Sequence, residues 1–413
     1  MNTFTIIFLS LLGVSLLLEL WLAQRHIRYV SANRDTVPPA FRHKISLEEH
    51  QKAADYTIAH SRFGWIEDIY GALLLLIWTV GGGLEWLDRV WRGFDTGELI
   101  TGIGFMLSAF IIMGLFELPM SWYQTFVIEK RFGFNKITPG LFIADLFKKT
   151  ALLLLLGAPL IAAALWMMQE SGALWWVYVW LLWSGFSLFL IWAYPALIAP
   201  LFNKFTPLKE GSVRERIQAL LERTGFRSRG IFIMDGSRRS AHGNAYFTGF
   251  GKTKRIVFFD TLLEHLGEKE IEAVLAHELG HFKRKHVIKR MVLTFCMSLV
   301  GLAVLGWLAQ QSWFYSGLGM TQTSNYAALM LFMLAVPIFT FFLQPLLAWS
   351  SRRDEYEADS FAAEQTNAQE LVSALVKLYK ENASTLTPDP LHSAFYDSHP
   401  PAALRIAHLT GKS

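Results

Sequence analysis

Two histidines spaced four residues apart, His277 and His281, belong to the run HELGH at 277–281. On a helix this spacing puts both imidazoles on one face, so that both can reach a single ion. Glu278 follows the first histidine, where it can take a proton from an attacking water and return it to the leaving amine. A catalytic zinc site keeps three protein ligands and one open position. The run therefore predicts a peptidase site with one Zn²⁺ that needs a third ligand.

The best candidate for that ligand lies in the acidic segment 351–359. Glu355 and Asp359 are four residues apart and share a helical face. Glu355 can bind the metal while Asp359 accepts a hydrogen bond from a ligand histidine, an outer pairing that zinc sites commonly use. Alternatively, Glu355, Glu357 and Asp359 form a solvated acidic face paired with neighbouring arginines. The HELGH run favours the ligand interpretation.

The elements around HELGH predict a small mixed domain. Helical periodicity covers 213–223, a short strand covers 230–234, and 244–259 is typical of a hairpin with its turn at 251–254. A further helix is expected from 268 to about 285, carrying HELGH. His286 follows His281 by five residues, off the ligand face, and is interpreted as a surface or interfacial histidine.

The rest of the chain has the composition of a multi-spanning membrane protein. Of its 413 residues, 53% are hydrophobic and 17% are charged, against about 25% charged in soluble domains. Apolar runs long enough to cross a bilayer predict seven spans. The first is expected to remain as a transmembrane helix and not to be cleaved as a signal peptide. The single cysteine, Cys296, excludes an intrachain disulfide and a multi-cysteine metal site. The predicted spans are 3–24, 68–88, 100–127, 150–169, 173–199, 291–310 and 326–349.

Charge alternates between the predicted loops. The first, third and fifth loops are rich in Lys and Arg, the second holds only Arg89 and Arg92, and the fourth and sixth hold none. The positive-inside rule then places the odd loops and the C-terminal tail in the cytosol, with both site segments on that side. The net charge of +4 is explained by these loops, so no nucleic-acid partner is expected.

These patterns give the fold class and the domains. We expect an α-helical polytopic membrane protein, with about seven transmembrane helices and a small α+β zinc-peptidase domain. Residues 1–199 would form helices 1–5 with their cytoplasmic loops, and 200–290 the catalytic loop domain. Residues 291–349 would form helices 6–7, and 350–413 the C-terminal part of the catalytic domain.

Several motifs together resemble the type I CAAX prenyl proteases, which are integral-membrane zinc endopeptidases. They are HELGH, the Glu-Tyr-Glu-Ala-Asp segment at 355–359, Asn-Ala-Tyr-Phe at 244–247 and Ser-His-Pro-Pro at 398–401. The likeness extends to 125–136 and 200–205, so it covers most of the chain. It implies seven helices that enclose a large chamber, with Glu355 as third ligand.

The resemblance also implies that Asn244 and His399 face the cleft. Asn244, at the start of a strand, can bind the backbone of a substrate that adds as an extended strand. His399 can donate to the developing oxyanion, or it is simply a histidine at a helix start. Arg405 can hold Glu355 or another carboxylate, or it is an ordinary surface arginine.

The leading hypothesis is a membrane zinc metalloendopeptidase that cleaves near the C-terminus of prenylated CAAX-type or other membrane-associated proteins. The alternatives are a quality-control protease of the HtpX type and, outside enzymes, a transporter or scaffold with structural zinc. A structural site has no need of a base at Glu278. The expected partners are a peptide or protein substrate, prenylated or not, and the lipid bilayer. For the location we favour a bacterial inner membrane over the endoplasmic reticulum.

Overall fold

Long apolar helices dominate the computed structural model, which describes residues 2–248 and 254–411. Among these residues, six helices are long and apolar enough to span a membrane, and a bent pair raises the number to seven. This agrees with the predicted fold class and makes the chain a multi-pass integral membrane protein. The helices are α1 Thr3–Ala32, α2 Leu47–Trp78, α3 Gly83–Arg92, α4 Glu98–Tyr123, α5 Lys130–Phe132, α6 Pro139–Leu152, α7 Ala158–Glu170, α8 Trp175–Ala193, α9 Ala199–Phe202, α10 Ser212–Arg223, α11 Asp260–His265, α12 Glu268–Lys283, α13 His286–Leu308, α14 Ser312–Gly317, α15 Asn325–Thr340, α16 Gln344–Gln365, α17 Ala368–Glu381, α18 Pro390–Tyr396 and α19 Ala402–Leu409.

Short π-helical or 3₁₀ segments join several of these helices into longer spans. Continuous spans run over Glu98–Phe132, Pro139–Glu170, Gly172–Phe202 and Asn325–Gln365. The predicted second span, 68–88, is instead broken between α2 and α3, which meet at an angle of 44°. The break contains Gly81 and Gly82, and Gly82 adopts a left-handed φ of 80° that suits glycine.

The last span extends past its predicted end. The sequence predicts an end near 349, but the helix continues without a gap through α16 to Gln365. The third candidate ligand, Glu355, is therefore on the same continuous span as the apolar residues of α15. A continuous helical span thus joins the apolar residues of α15 to the site.

In the described part of the chain, four strands form one small sheet in the order β1-β2-β4-β3. They are β1 Phe205–Pro207, β2 Ile231–Met234, β3 Ala245–Thr248 and β4 Arg255–Phe259. β2 and β4 are parallel and the other pairs are antiparallel, with β3 at one edge. The predicted hairpin corresponds to β3 and β4; residues 251–253 of its predicted turn, 251–254, lie outside the described residues.

The two largest hydrophobic cores among the described residues support this arrangement. One lies among the membrane helices, where Phe8, Phe105 and Tyr326 are buried together. The other packs α10, α12 and α17 against the sheet, through side chains such as Leu220, Phe258, Leu275 and Leu375. Because apolar side chains cover α12 on several sides, its position is fixed before any ligand is considered.

Candidate metalloprotease site

The helix α12 presents the two histidines as their spacing predicts. His277 Nε2 and His281 Nε2 lie 3.3 Å apart. At the start of α12 the Glu270 carboxylate accepts a hydrogen bond from Gly267 N at 2.7 Å. The same carboxylate accepts from Ser373 and Lys377 on α17, at 2.6 and 2.7 Å. These bonds cap the helix and anchor it to α17.

Glu355 on α16 meets both histidines. Its Oε2 lies 3.3 Å from His277 Nε2, and its Oε1 lies 3.3 Å from His281 Nε2. One ligand atom from each of the three residues falls within 4.8 Å of the others. Glu355 is only 4% exposed, so the alternative of a solvated acidic face is wrong for this residue.

The helices α12 and α16 approach each other closely enough to form this cluster because residue 280 is glycine. A Cβ at Gly280 would lie 2.9 Å from Ala358 Cα and 3.1 Å from Ala358 O. Both contacts are with backbone atoms, which cannot move aside by a change of rotamer. The glycine of HELGH therefore sets the distance between the helix with the histidines and the helix with Glu355.

The residues present fit a divalent metal ion. Within the described part of the chain, the buried Glu355 Oε2 has no hydrogen-bond partner, although His277 Nε2 is near. Two ring nitrogens and a carboxylate converge on one point, and this mixed donor set suits zinc. A buried carboxylate oxygen without a partner is costly unless an ion or a proton satisfies it.

Asp359 and Arg405 complete the surroundings of His277. Asp359, 0% exposed, lies 2.8 Å from His277 Nδ1 and receives two hydrogen bonds from Arg405, from Nε at 2.8 Å and Nη2 at 2.6 Å. Arg405 Nη2 also lies 3.3 Å from His277 Nδ1, but the shorter Asp359 contact indicates that this nitrogen carries a proton and donates it. His277 Nε2 then keeps its lone pair for a metal. The alternative of a surface arginine is wrong, because Arg405 is 6% exposed.

Glu278 is half-buried beside the histidines on α12. Burial raises the pKa of its carboxyl, the histidines lower it, and nearby Glu355 raises it; the net shift is upward. A carboxylate with a raised pKa is a better proton acceptor than an exposed one, which suits the predicted role of general base.

The structure brings His399 to the cluster as well. Its Nε2 lies 3.3 Å from Glu355 Oε1, and its side chain is 61% exposed. Ser398 Oγ lies 2.9 Å from the other ring nitrogen, Nδ1. The ring is therefore near the metal ligands and open to an incoming substrate.

Asn244 lies immediately before the edge strand β3 and is exposed. Its side chain accepts a hydrogen bond from Ala245 N at 2.8 Å, and its carbonyl accepts from Phe259 N. β3 packs on α12 through Phe247 and Phe282, whose ring centroids are 5.2 Å apart. The strand that would receive a substrate is thus in contact with the helix that carries HELGH.

A polar cluster that the sequence did not reveal anchors the segment before Asn244. Glu129, at the end of the third span, accepts hydrogen bonds from Tyr56 at 2.7 Å and His60 at 2.9 Å. His242 lies 3.5 Å from the same carboxylate and 3.3 Å from Asn382 Oδ1. These contacts tie the start of β3 to the membrane helices.

The sequence also missed His286. It is 1% exposed, and its Nδ1 lies 3.0 Å from His281 Nδ1, so the interpretation as a surface or interfacial histidine is wrong. The helix does not continue past residue 283: Lys285 adopts a left-handed φ of 59°, and α13 begins at His286. Nothing in the run Arg-Lys-His signals this break, since left-handed backbone normally favours glycine or asparagine.

Fold and site together define a multi-spanning membrane metallopeptidase. Two family models divide the chain: the description "CAAX prenyl protease N-terminal, five membrane helices" matches residues 26–204, and "Peptidase family M48" matches residues 207–413. The chain therefore belongs to peptidase family M48.

Similar proteins cover nearly the whole length. A CAAX prenyl protease 1 homolog of Arabidopsis thaliana is 35% identical over 389 residues, 91% of each chain. A CAAX prenyl protease 1 homolog of Homo sapiens is 32% identical over 441 residues, 95% of this chain and 92% of the human one. The crystal structure of S. mikatae Ste24p matches with a TM-score of 0.91 at 29% identity, over 99% of both chains. These likenesses favour the CAAX prenyl protease hypothesis over the HtpX type and over a transporter or scaffold.

Proposed function

We propose that this metalloendopeptidase uses one zinc ion, held by His277, His281 and Glu355, to cleave the C-terminal region of membrane-anchored substrates. The observation that carries the proposal is the convergence of these three side chains with Glu278 beside them. Zinc at such a site supplies Lewis acidity to a scissile carbonyl and lowers the pKa of an attacking water. Three protein ligands leave a position open for reaction, whereas a structural site closes it with protein.

The remaining steps belong to the chain's own side chains. Glu278 takes the proton of the attacking water and passes it to the leaving amine. His399, exposed beside Glu355, donates to the oxygen of the carbonyl under attack, where negative charge develops. Asn244 binds the substrate backbone where it joins the free edge of β3 as an added strand. Asp359 and Arg405 hold His277 in the orientation that keeps its Nε2 available.

The substrate class follows from where the site is placed and from the relatives' names. Glu355 lies on a helix continuous with a candidate membrane span, and this continuity supports a substrate that is itself anchored in the bilayer. The matched relatives are named for CAAX prenyl proteins, whose terminal cysteine motif carries a prenyl anchor. We propose that this chain removes the last three residues of such substrates.

The same placement supports a cytoplasmic site. The only cations of the second loop, Arg89 and Arg92, pair with Glu85 at 2.8 Å and Asp88 at 2.7 Å. Because the positive-inside rule counts Lys and Arg, and the second loop holds only these two, we propose that the more basic first, third and fifth loops, and with them the site, face the cytosol. A bacterial inner membrane stays a prediction, as do the four domain boundaries and the enclosed chamber.

The test is cleavage of a farnesylated CAAX peptide by purified protein in detergent. Wild type, Glu278→Gln and a chelator-treated sample are compared, with an unprenylated peptide of the same sequence as matched substrate. We expect wild type alone to release the tripeptide, and only from the farnesylated peptide, while Glu278→Gln still binds one zinc. Cleavage by Glu278→Gln at the wild-type rate would refute the catalytic assignment. Equal cleavage of both peptides would refute the prenyl preference.

A further inference from the structure

The outer nitrogen of the second ligand histidine faces another histidine instead of a carboxylate. His281 Nδ1 lies 3.0 Å from His286 Nδ1. His286 Nε2 lies 3.1 Å from Glu357 Oε2 and 3.5 Å from Asp354 Oδ1. His286 is 1% exposed, so its ring has little access to solvent, whereas the Glu357 side chain is 43% exposed. Three side chains, His281, His286 and Glu357, thus form one continuous hydrogen-bonded row.

Only one arrangement of protons uses every nitrogen in this row. His281 Nε2 points to Glu355 and His277, so it must keep its lone pair if it is to bind a metal. In a neutral imidazole the proton then sits on His281 Nδ1, which donates to His286 Nδ1. His286 must therefore carry its own proton on Nε2, and this donates to the Glu357 carboxylate. The Glu357 carboxylate thus determines which nitrogen of His286 carries the proton, and His286 in turn determines this for His281.

A break in the helical backbone brings His286 into contact with His281. If α12 continued as a regular helix, residue 286 would lie on another face, five positions from His281. Lys285, with its left-handed φ, interrupts the helix, and α13 begins at His286. The centroids of the His286 and His281 rings are 5.2 Å apart. A lysine held at a φ of 59° is unfavourable, so the surrounding structure must stabilise it.

We propose that His286 and Glu357 are positioning residues that hold His281 as a metal ligand. The inference rests on the proposed function, because it presupposes a metal at His277, His281 and Glu355. Both ligand histidines are then oriented from α16: His277 by Asp359, and His281 by Glu357 through His286. One helix thus supplies the third ligand and orients the other two.

The test measures zinc affinity of the full-length protein in detergent by competition with a chromophoric chelator. His286→Leu removes the acceptor for His281 Nδ1–H and fills the buried position with an apolar side chain. Loss of an outer partner typically weakens metal binding about 10- to 100-fold, and we expect this range. His286→Gln keeps one acceptor and one donor and should recover most of that loss. The visible spectrum of the Co²⁺-loaded protein should change in His286→Leu and remain close to wild type in His286→Gln.

Glu357→Leu keeps the test informative if His286→Leu does not fold. It should bind zinc more weakly than wild type and more tightly than His286→Leu, since Asp354 still lies near His286. The matched control is Glu364→Leu, an exposed glutamate about two turns further along α16, which should leave zinc affinity unchanged. Folded His286→Leu or Glu357→Leu with wild-type affinity would overturn the inference while the proposed function stands. A wild-type protein that binds no stoichiometric zinc would overturn both.

Discussion

Gly280 is the position where the smallest possible change should disturb both the site and the helix packing. In Gly280→Ala the new Cβ would lie 2.9 Å from Ala358 Cα, 3.1 Å from Ala358 O and 3.2 Å from Ala358 Cβ. Ordinary contact begins near 3.4 Å, so α12 and α16 must separate by roughly 0.5 Å at this point. No rotamer change relieves contacts with Cα, O and Cβ.

Such a separation would move the candidate metal ligands apart. Glu355 precedes Ala358 by three residues on α16, and His281 follows Gly280 on α12. Metal–ligand distances are held to within about 0.2 Å, which is smaller than the required shift. Overpacking typically costs about 1–3 kcal/mol. If the strain is relieved by moving the ligands apart, zinc affinity falls about 5- to 150-fold, since 1.4 kcal/mol is about tenfold.

The assay pairs zinc affinity, measured by chelator competition, with the thermal midpoint Tm in detergent. Gly280→Ala should lower both. The control is Gly71→Ala on α2, where an added Cβ meets nothing within 4 Å among the described residues; its zinc affinity should equal that of wild type. Wild-type zinc affinity and Tm in Gly280→Ala would show that α12 and α16 are not in this contact, and the argument for the site's geometry would fail.

Two further predictions concern the stability of the site. Arg405→Leu should lower Tm strongly, because removing one partner of a buried ion pair costs about 3–5 kcal/mol and leaves the Asp359 carboxylate with fewer donors. Arg405→Lys should recover part of this loss. An unchanged Tm in Arg405→Leu would contradict the prediction. Chelation of the metal should lower the Tm of wild type, since a ligand at 100 times its Kd stabilises by about 2.7 kcal/mol, and added zinc should restore it. The same treatment should leave the Tm of His277→Ala unchanged, and an equal shift there would place the bound metal elsewhere.

Local spacing made the centre of the site predictable. The four-residue repeat in His277 and His281, and again in Glu355 and Asp359, identifies helical faces from sequence alone, and the structure shows all four side chains together. The fold class was equally accessible, because apolar runs of span length are a local property of the chain. Both successes depend on interactions within a single helix.

What the sequence could not predict depends on contacts between distant segments or on a local break in a helix. Arg405 reaches Asp359 from 46 residues away, and spacing gave no reason to choose a buried partner over solvent. His286 was misplaced because helical periodicity was extended through a lysine with a left-handed φ. The Glu129 cluster joins segments that are far apart along the chain, so only the fold reveals it.

The separation of the ligands along the chain has a physical consequence. His281 and Glu355 are parted by α13 and α15, both of which are long apolar helices, yet they meet at 3.3 Å. A metal bound by these residues would therefore close a loop that consists largely of membrane helices. Because α16 continues the last span and carries Glu355, Glu357 and Asp359, a shift of that span moves one ligand and the orienting groups of the other two. A site built this way depends on the packing of the last membrane span against α12, so a change in that packing should lower the metal affinity.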